Sequence, residues 1–358
     1  MSKKMFDFVL GNPPFQRMYQ GDSNGANSIY DKFLDASFEI ADKVELIHPA
    51  RFLFNAGSTS KKWNEKMLGD PHFKVLFYEK DATIIFPNAD IKGGIAITYH
   101  DDYKNFGAIG VFTPYEQLNN ILHKVSSNDN FESINVLGTT SSAYHFTEAL
   151  HSDYPNLKKE KIIINGKEQP LLSKGHEYDL KSSIFEKLPN IFIDHIKDEE
   201  SNHYIKILGK NSAGRTIKYI KKKYINEVKN LYVFKIFLPK ANGNGAFGEV
   251  ITMPTIAEPG TGATETFYSL GLFNSRKEAE RLLKYIKTKF ARALLGILKI
   301  TQDSNPGKWK YVPLQDFTDH SDIDWSKSIP EIDQQLYKKY GLSDEEIDFI
   351  ETHVKEMK

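Results

Sequence analysis

Phe6-Asp7-Phe8-Val9-Leu10-Gly11-Asn12-Pro13-Pro14-Phe15 stands near the start of this 358-residue chain, and the other blocks of the sequence take their meaning from it. Apolar residues at positions 6, 8, 9 and 10 predict a short strand, brought to an abrupt end by an asparagine and two prolines. The side-chain oxygen of Asn12 and the carbonyl of Pro13 can both accept hydrogen bonds from one planar NH2 group. The two prolines stiffen the turn and offer no N–H of their own to compete. Phe15 adds a ring on which a flat heterocycle can stack. An adenine swung out of a duplex presents that pair of features, a π-face and an exocyclic amino group. Asn-Pro alone is an ordinary turn signal, so the weight rests on the whole tetrad and on its place after a strand.

Downstream, Asn27-Ser28-Ile29-Tyr30-Asp31-Lys32-Phe33-Leu34-Asp35-Ala36-Ser37-Phe38 places Ile29, Phe33 and the Ala36/Ser37 pair at helical spacing, with Ser28 as the expected N-cap. Val44-Glu45-Leu46-Ile47-His48-Pro49 reads as a strand that runs into the turn Ala50-Arg51-Phe52-Leu53. Phe73 to Tyr78 and Gly94 to Tyr99 read as two more strands, joined through Ile84-Ile85-Phe86-Pro87.

In these blocks the chain resembles the amino-methylating DNA methyltransferases, in particular the adenine methylases of type II and type IIG restriction–modification systems. The resemblance runs through nearly the whole chain and is strongest at the tetrad. It implies site-specific, S-adenosylmethionine-dependent methylation of adenine in duplex DNA, in a restriction–modification or phage-defence setting. By resemblance Asn12, Pro13, Pro14 and Phe15 are catalytic, and Phe86 is the second stacking ring on the extruded base. Tyr30 and Phe33 would border the cofactor pocket, although burial statistics alone make Phe33 a core residue.

Composition excludes several alternatives. Cysteine is absent, which removes thiolate zinc sites, iron–sulfur clusters, disulfides and cytosine C5 methylation with its Cys nucleophile. Asp81 with Asp90-x-Lys92 has the spacing of a metal-nuclease motif, but such short patterns are abundant, and no metal ligand is assigned. No apolar run approaches the roughly 18 residues of a membrane span. The opening Met1-Ser2-Lys3-Lys4 leads into no signal-peptide core, so a cytoplasmic location is expected.

Lys plus Arg equals Asp plus Glu, so no global basic excess advertises nucleic acid. Charge is unevenly placed, however. Lys206, Lys210, Arg215, Lys218, Lys221, Lys222 and Lys223 lie in a stretch without one acidic residue, among Tyr204, Tyr219 and Tyr224. Lys210, Arg215, Lys218 and Lys221 to Lys223 are candidate phosphate contacts; a plain solvated face is the competing reading.

The expected fold class is α/β: a partial Rossmann-like methyltransferase sheet, mostly parallel, followed by an α+β target-recognition domain. Residues 1–105 would form the C-terminal half of the catalytic domain, 106–330 the DNA-binding recognition domain and 331–358 a helical tail. Strands are expected at Ala108–Phe112, Lys161–Ile164 and Leu231–Leu238, and helices across Ser275–Lys299, where Ser275 and Glu278 form a capping box, and Ile332–Lys338. A methylase also needs a glycine-rich turn after its first strand. Too few residues precede Asn12 to hold one. Glu258-Pro259-Gly260-Thr261-Gly262-Ala263-Thr264 is a candidate for a permuted arrangement, but Phe267-Tyr268-Ser269-Leu270 after it looks like a strand where a helix is required. The preferred reading is a C-terminal part that begins just before the family's fourth strand, with a second polypeptide, a missing half or self-association completing the cofactor site. The alternatives are a non-catalytic DNA-binding specificity protein with an inert tetrad, and an enzyme acting on RNA guanine or protein glutamine.

Overall fold

The structure is a computed structural model that describes residues 4–17, 27–55, 57–87, 91, 93–128, 130–164 and 166–357. Met1 to Lys3, Asp90 and Lys92 lie outside the described residues. Among the described residues no helix is long and apolar enough to cross a membrane. The chain is mixed α/β with several sheets and divides into two compact units, Met1–Asn119 and Asn120–Lys358. The first unit thus runs past residue 105.

In the first unit, β1 (Phe6–Gly11) is followed by the two-residue strands β2 (Gln16–Arg17) and β3 (Asn27–Ser28), then α1 (Tyr30–Ile40), β4 (Ala41–Pro49), α2 (Lys61–Gly69), β5 (Phe73–Glu79) and β6 (Ile95–Asp101). The sheet order is β1-β4-β6-β5. β1 pairs with β4 in parallel, whereas β6 is antiparallel to both β4 and β5. Three strands therefore point one way, but only one of the three pairings is parallel, which corrects the expectation of a mostly parallel sheet. The link from β5 to β6 carries only the Ala82–Ile84 turn as helix among the described residues, so the chain returns antiparallel without a crossover. One face of the sheet packs its Val44, Leu46, Phe73 and Ala96 with Tyr30, Leu34, Phe52, Trp63 and Met67 into a core.

Ser28 is not the N-cap of α1. It is taken up in β3, which pairs with β2, so Ile29 occupies the cap and the Ser28 hydroxyl lies 3.4 Å from the Asp31 carboxylate. Ala108–Phe112 forms no strand; Ile109 and Phe112 pack against the core from a loop.

Helix α3 (Glu116–Ser126) crosses the division between the units. The second unit continues with β7 (Gly138–Thr139), α4 (Glu148–Asp153), β8 (Lys161–Ile164), β9 (Lys167–Pro170), α5 (Ile184–Lys187), β10 (Tyr204–Asn211), β11 (Gly214–Lys221) and β12 (Phe234–Pro239). It closes with β13 (Thr255–Ala257), β14 (Thr261–Ala263), β15 (Phe267–Phe273), α6 (Arg276–Lys287), α7 (Lys289–Gly296), α8 (Ile329–Lys339) and α9 (Asp344–His353). Its sheets are β11-β10-β14, β13-β12-β15-β7 and the hairpin β8-β9. Ile205, Ile207 and Ile220 of the β10–β11 hairpin enter a core with Phe146, Phe185 and Phe192. The Ser275/Glu278 capping box opens α6 as expected, but the helical stretch breaks at Thr288, whose side chain accepts from the Ala291 N–H and starts α7 afresh. Of Leu231–Leu238 only the part from Phe234 is strand.

Candidate functional site

Gly11 is the last residue of β1 paired with β4, opposite Leu46, so Asn12 begins just where the parallel ladder stops. Pro13 is buried and anchors the turn, while Asn12 and Pro14 are exposed. The Phe15 carbonyl accepts from the Ile29 N–H at 3.2 Å, tying the end of the tetrad to the start of α1. Because β1, β4 and β5 point the same way and β6 runs back, four connections meet at one end of the sheet. They are the tetrad after β1, the Arg51–Phe54 turn after β4, the Ala82–Ile84 turn with Phe86 after β5, and Gly93-Gly94 before β6. The carboxyl ends of parallel strands are where open α/β sheets place their ligands.

Phe86 is set by the turn before it. The Asp81 carboxylate caps that turn through the Thr83 N–H at 3.0 Å and the Thr83 hydroxyl at 2.6 Å, and Phe86 N–H donates to the Ala82 carbonyl at 2.8 Å. Those bonds from Thr83 hold Asp81 below the usual carboxylate range. Asp81 is thus a capping residue, and its notional partners Asp90 and Lys92 lie outside the described residues.

The structure brings Phe15 and Phe86 together but not as an open slot. Their centroids are 6.0 Å apart and the planes meet at 75°, edge to face. A base stacked between two rings needs about 7 Å, twice an ordinary carbon–carbon contact, and near-parallel planes. The two rings pack against each other instead.

Tyr30 and Phe33 part company. Tyr30 is buried, its ring lying parallel to that of His48 at 5.6 Å and 3°, with Phe52 and Trp63 against its other sides. Burial pushes its hydroxyl up to about 12 and pushes His48 down to about 4, so both are neutral. His48 also bonds the Thr98 hydroxyl at 2.7 Å. Tyr30 is therefore core, whereas Phe33 is 42% exposed, against the burial expectation, because it lies on the outward side of α1. Sequence reasoning passed over Arg51, which opens the turn at this end of the sheet; contacts that identify it come from residues distant in the chain.

In the second unit, acids from other segments reach the basic stretch. Lys206 pairs with Glu258 at 3.4 Å, Lys218 with Asp194 at 2.8 Å and Lys223 with Asp153 at 2.5 Å. Arg215 donates to the Met253 carbonyl at 2.5 Å and the Thr255 hydroxyl at 2.7 Å, and Lys222 sits over the Tyr232 ring at 4.8 Å. Lys210 and Lys221 are exposed, with no ion pair or hydrogen bond among the described residues. Residues paired across an antiparallel ladder share a face, so Lys206, Lys210, Arg215 and Lys221 line one side of the hairpin with Tyr204 and Tyr219. Lys218 is on the other. Lys221 to Lys223 also line a surface cleft of about 690 Å³ together with Glu200 and Glu227.

The glycine-turn candidate is resolved against. Thr261–Ala263 is β14, buried and parallel to β10, with Gly262 packed on Ile207 and Tyr144, and β15 follows it. It is the edge strand of that sheet, and it leads into another strand where the family's glycine turn would lead into a helix.

Residues 1–86 match the family described as Eco57I restriction-modification methylase. The matching segment contains the tetrad, α1, β4, β5 and Phe86. An uncharacterized adenine-specific methylase from Mycoplasma pneumoniae is 30% identical over 93 residues, 25% of this chain and 22% of that protein. The chain thus spans under a quarter of the curated relative it matches. The type IIG restriction endonuclease BpuSI is similar over 92% of this chain and 50% of its own, at 9% identity and a TM-score of 0.33, too low to carry a shared fold.

Proposed function

We propose that this chain is the base-capturing part of an S-adenosylmethionine-dependent DNA adenine amino-methyltransferase from a restriction–modification system, joined to a DNA-recognition region. The observation that carries it is the tetrad itself. Asn12-Pro13-Pro14-Phe15 stands at the carboxyl end of a sheet strand with Asn12 exposed, Pro13 buried and a second ring from Phe86 beside it, inside the methylase-matching segment. The Asn12 oxygen and the Pro13 carbonyl would accept both protons of the adenine amino group and draw its lone pair out of conjugation with the ring. Phe15 and Phe86 would grip the two faces of the base after one ring turns aside. S-adenosylmethionine supplies the methyl group. The described residues fit the base and not the cofactor's amino-acid end, since no glycine turn leading into a helix occurs among them, and β14 has its own place in a sheet.

Whatever completes the cofactor site, whether a second polypeptide, a methylase N-terminal half or a second copy, would also cover an apolar face of this sheet. Phe6, Phe8 and Leu10 all point to the sheet face away from the α1 core, and they are 49%, 46% and 70% exposed. On the same face Lys43 and Glu45 of β4 stand opposite Phe8 and Leu10, and Ile47, Ile97 and the exposed Phe77 form a second apolar group across β4, β6 and β5. β1 is also an edge strand with one side unpaired. Soluble proteins cover such edges and faces, and the remainder of a methylase sheet with its helices would do so. The second unit, where Lys210 and Lys221 make no ion pair among the described residues, would carry the DNA contacts, and a cytoplasmic location belongs to the same reading.

Methyl transfer from labelled S-adenosylmethionine to host-type DNA, with the co-purified partner present, tests the assignment. Asn12→Ala should remove the activity, a loss on the order of 3–4 kcal/mol by analogy with oxyanion-hole donors, while duplex binding stays within a few-fold. Turnover within about tenfold of wild type would sink it.

A further inference from the structure

Arg51 is an exposed residue in an unusually fixed setting. It opens the turn Arg51–Phe54, whose Phe52 and Leu53 are buried in the core and whose Asn55 N–H closes back on the Arg51 carbonyl. Two glycines in left-handed backbone, Gly57 at φ 101° and Gly93 at φ 90°, lie against its aliphatic stem. A Cβ on Gly57 would come within 3.1 Å of the Arg51 Cβ, and one on Gly93 within 2.3 Å of its Cγ. Only glycine tolerates both that backbone and that approach, so the stem sits in a groove two Cβ atoms would fill.

Among the described residues no carboxylate holds the head group. Among the described residues its guanidinium makes no hydrogen bond and no ion pair. Arg215, Arg276, Arg281 and Arg292 all donate to named partners. Of the described carboxylates at the same end of the sheet, Glu79 accepts from the Asp81 N–H at 2.9 Å and Asp81 from Thr83. A seated cation with no ion pair among the described residues stands at the sheet end that carries Asn12 and Phe15.

We propose that Arg51 binds a phosphodiester of the DNA strand whose base the tetrad captures. This rests on the reading of the chain as a DNA methylase part. A base swung from a duplex brings its flanking phosphates to the protein surface, and a guanidinium on a fixed stem meets two phosphate oxygens with little further loss of side-chain freedom. The role is to position the strand; Arg51 takes no part in the methyl transfer.

The test measures binding of the full chain to a fluorescein-labelled duplex of mixed sequence by anisotropy, over a series of salt concentrations. Wild type is compared with Arg51→Met, which keeps the stem between the two glycines and removes the charge, and with Arg51→Lys. The inference expects Arg51→Met to lose roughly tenfold in affinity. The slope of log K against log salt should fall by about one. Arg51→Lys should restore the slope with intermediate affinity, because the charge returns without the two-pronged geometry. If Met is not tolerated in folding, Arg51→Gln gives the same comparison. An unchanged slope in a folded neutral variant, with wild type bound to DNA, overturns the inference and leaves the methylase reading standing. So does an unchanged slope with weakened S-adenosylmethionine binding by calorimetry, which would make a carboxylate the ligand. A wild-type chain that binds no duplex at any salt overturns the methylase reading and this inference with it.

Discussion

The ring of Phe15 meets that of Phe86 edge to face, 6.0 Å between centroids, so the two side chains that would grip a base pack against each other. Base entry must separate and turn them. Phe15→Ala should weaken capture by roughly 1–3 kcal/mol, read as a smaller response of 2-aminopurine placed at the target position. Phe15→Tyr should be tolerated, because the ring face is kept. An undiminished response in Phe86→Ala would remove that residue from the slot.

Salt dependence separates the lysines. Lys223 is held by Asp153 and Lys222 lies over Tyr232, whereas Lys221 is exposed with no ion pair among the described residues. Replacing Lys221, Lys222 and Lys223 together by Ala should lower affinity for all duplexes alike and reduce the salt slope by about one. Lys221→Ala alone should give most of that change. A fall of about three would show that DNA breaks the internal contacts, and no fall would leave all three as a solvated face.

Lys235 offers a stability measurement independent of function. It is fully buried on β12, its ammonium bonded to the Leu231 and Val233 carbonyls at 3.3 and 3.2 Å and 5.7 Å from the Phe237 ring centre, and burial pushes it down to about 7. The unfolded chain therefore holds a proton that the folded chain gives up between pH 7 and about 10. Stability should rise with pH across that window and be lowest below it. Lys235→Met should stabilise by ~1–3 kcal/mol at pH 7, with the gain shrinking toward pH 10, as followed by urea unfolding. A less stable variant at pH 7 would mean that the two carbonyl bonds outweigh the burial penalty.

The apolar face of β1 should govern association. Native purification followed by light scattering should find the chain in a complex, and the double substitution Phe8→Ser and Leu10→Ser should release it as a monomer with little change in unfolding midpoint, since both side chains are already exposed. A wild-type chain that is monomeric from the native host would contradict completion by a second polypeptide or a second copy.

Local signals reported local structure well. The strand ending at Gly11, the Ser275 capping box and the β5 to β6 return are all written within short windows of sequence, and each is present. What failed were inferences that depend on distant residues. Ser28 lost its capping role to pairing between β2 and β3, and Ala108–Phe112 has strand composition but no partner strand. The basic stretch looked free of acids because Asp153, Asp194 and Glu258 come from elsewhere in the chain. Phe33 was misjudged since helical period identifies a stripe but does not say which side of it meets the sheet. Arg51 was invisible for the same reason, its seat being built by Gly57 and Gly93 together.

The place of β6 governs when the first sheet can exist at all. It is the last of the four strands to be synthesised, yet it lies between β4 and β5, which have no bonds to each other. Until residue 101 has cleared the ribosome, β4 lacks its β6 neighbour and β5 has nowhere to pair in this sheet. The nascent chain therefore carries Phe6, Phe8, Leu10 and two open edges for that whole interval. A polypeptide that later covers the β1 face would do most for yield if it were made at the same time and place, which favours synthesis from one message.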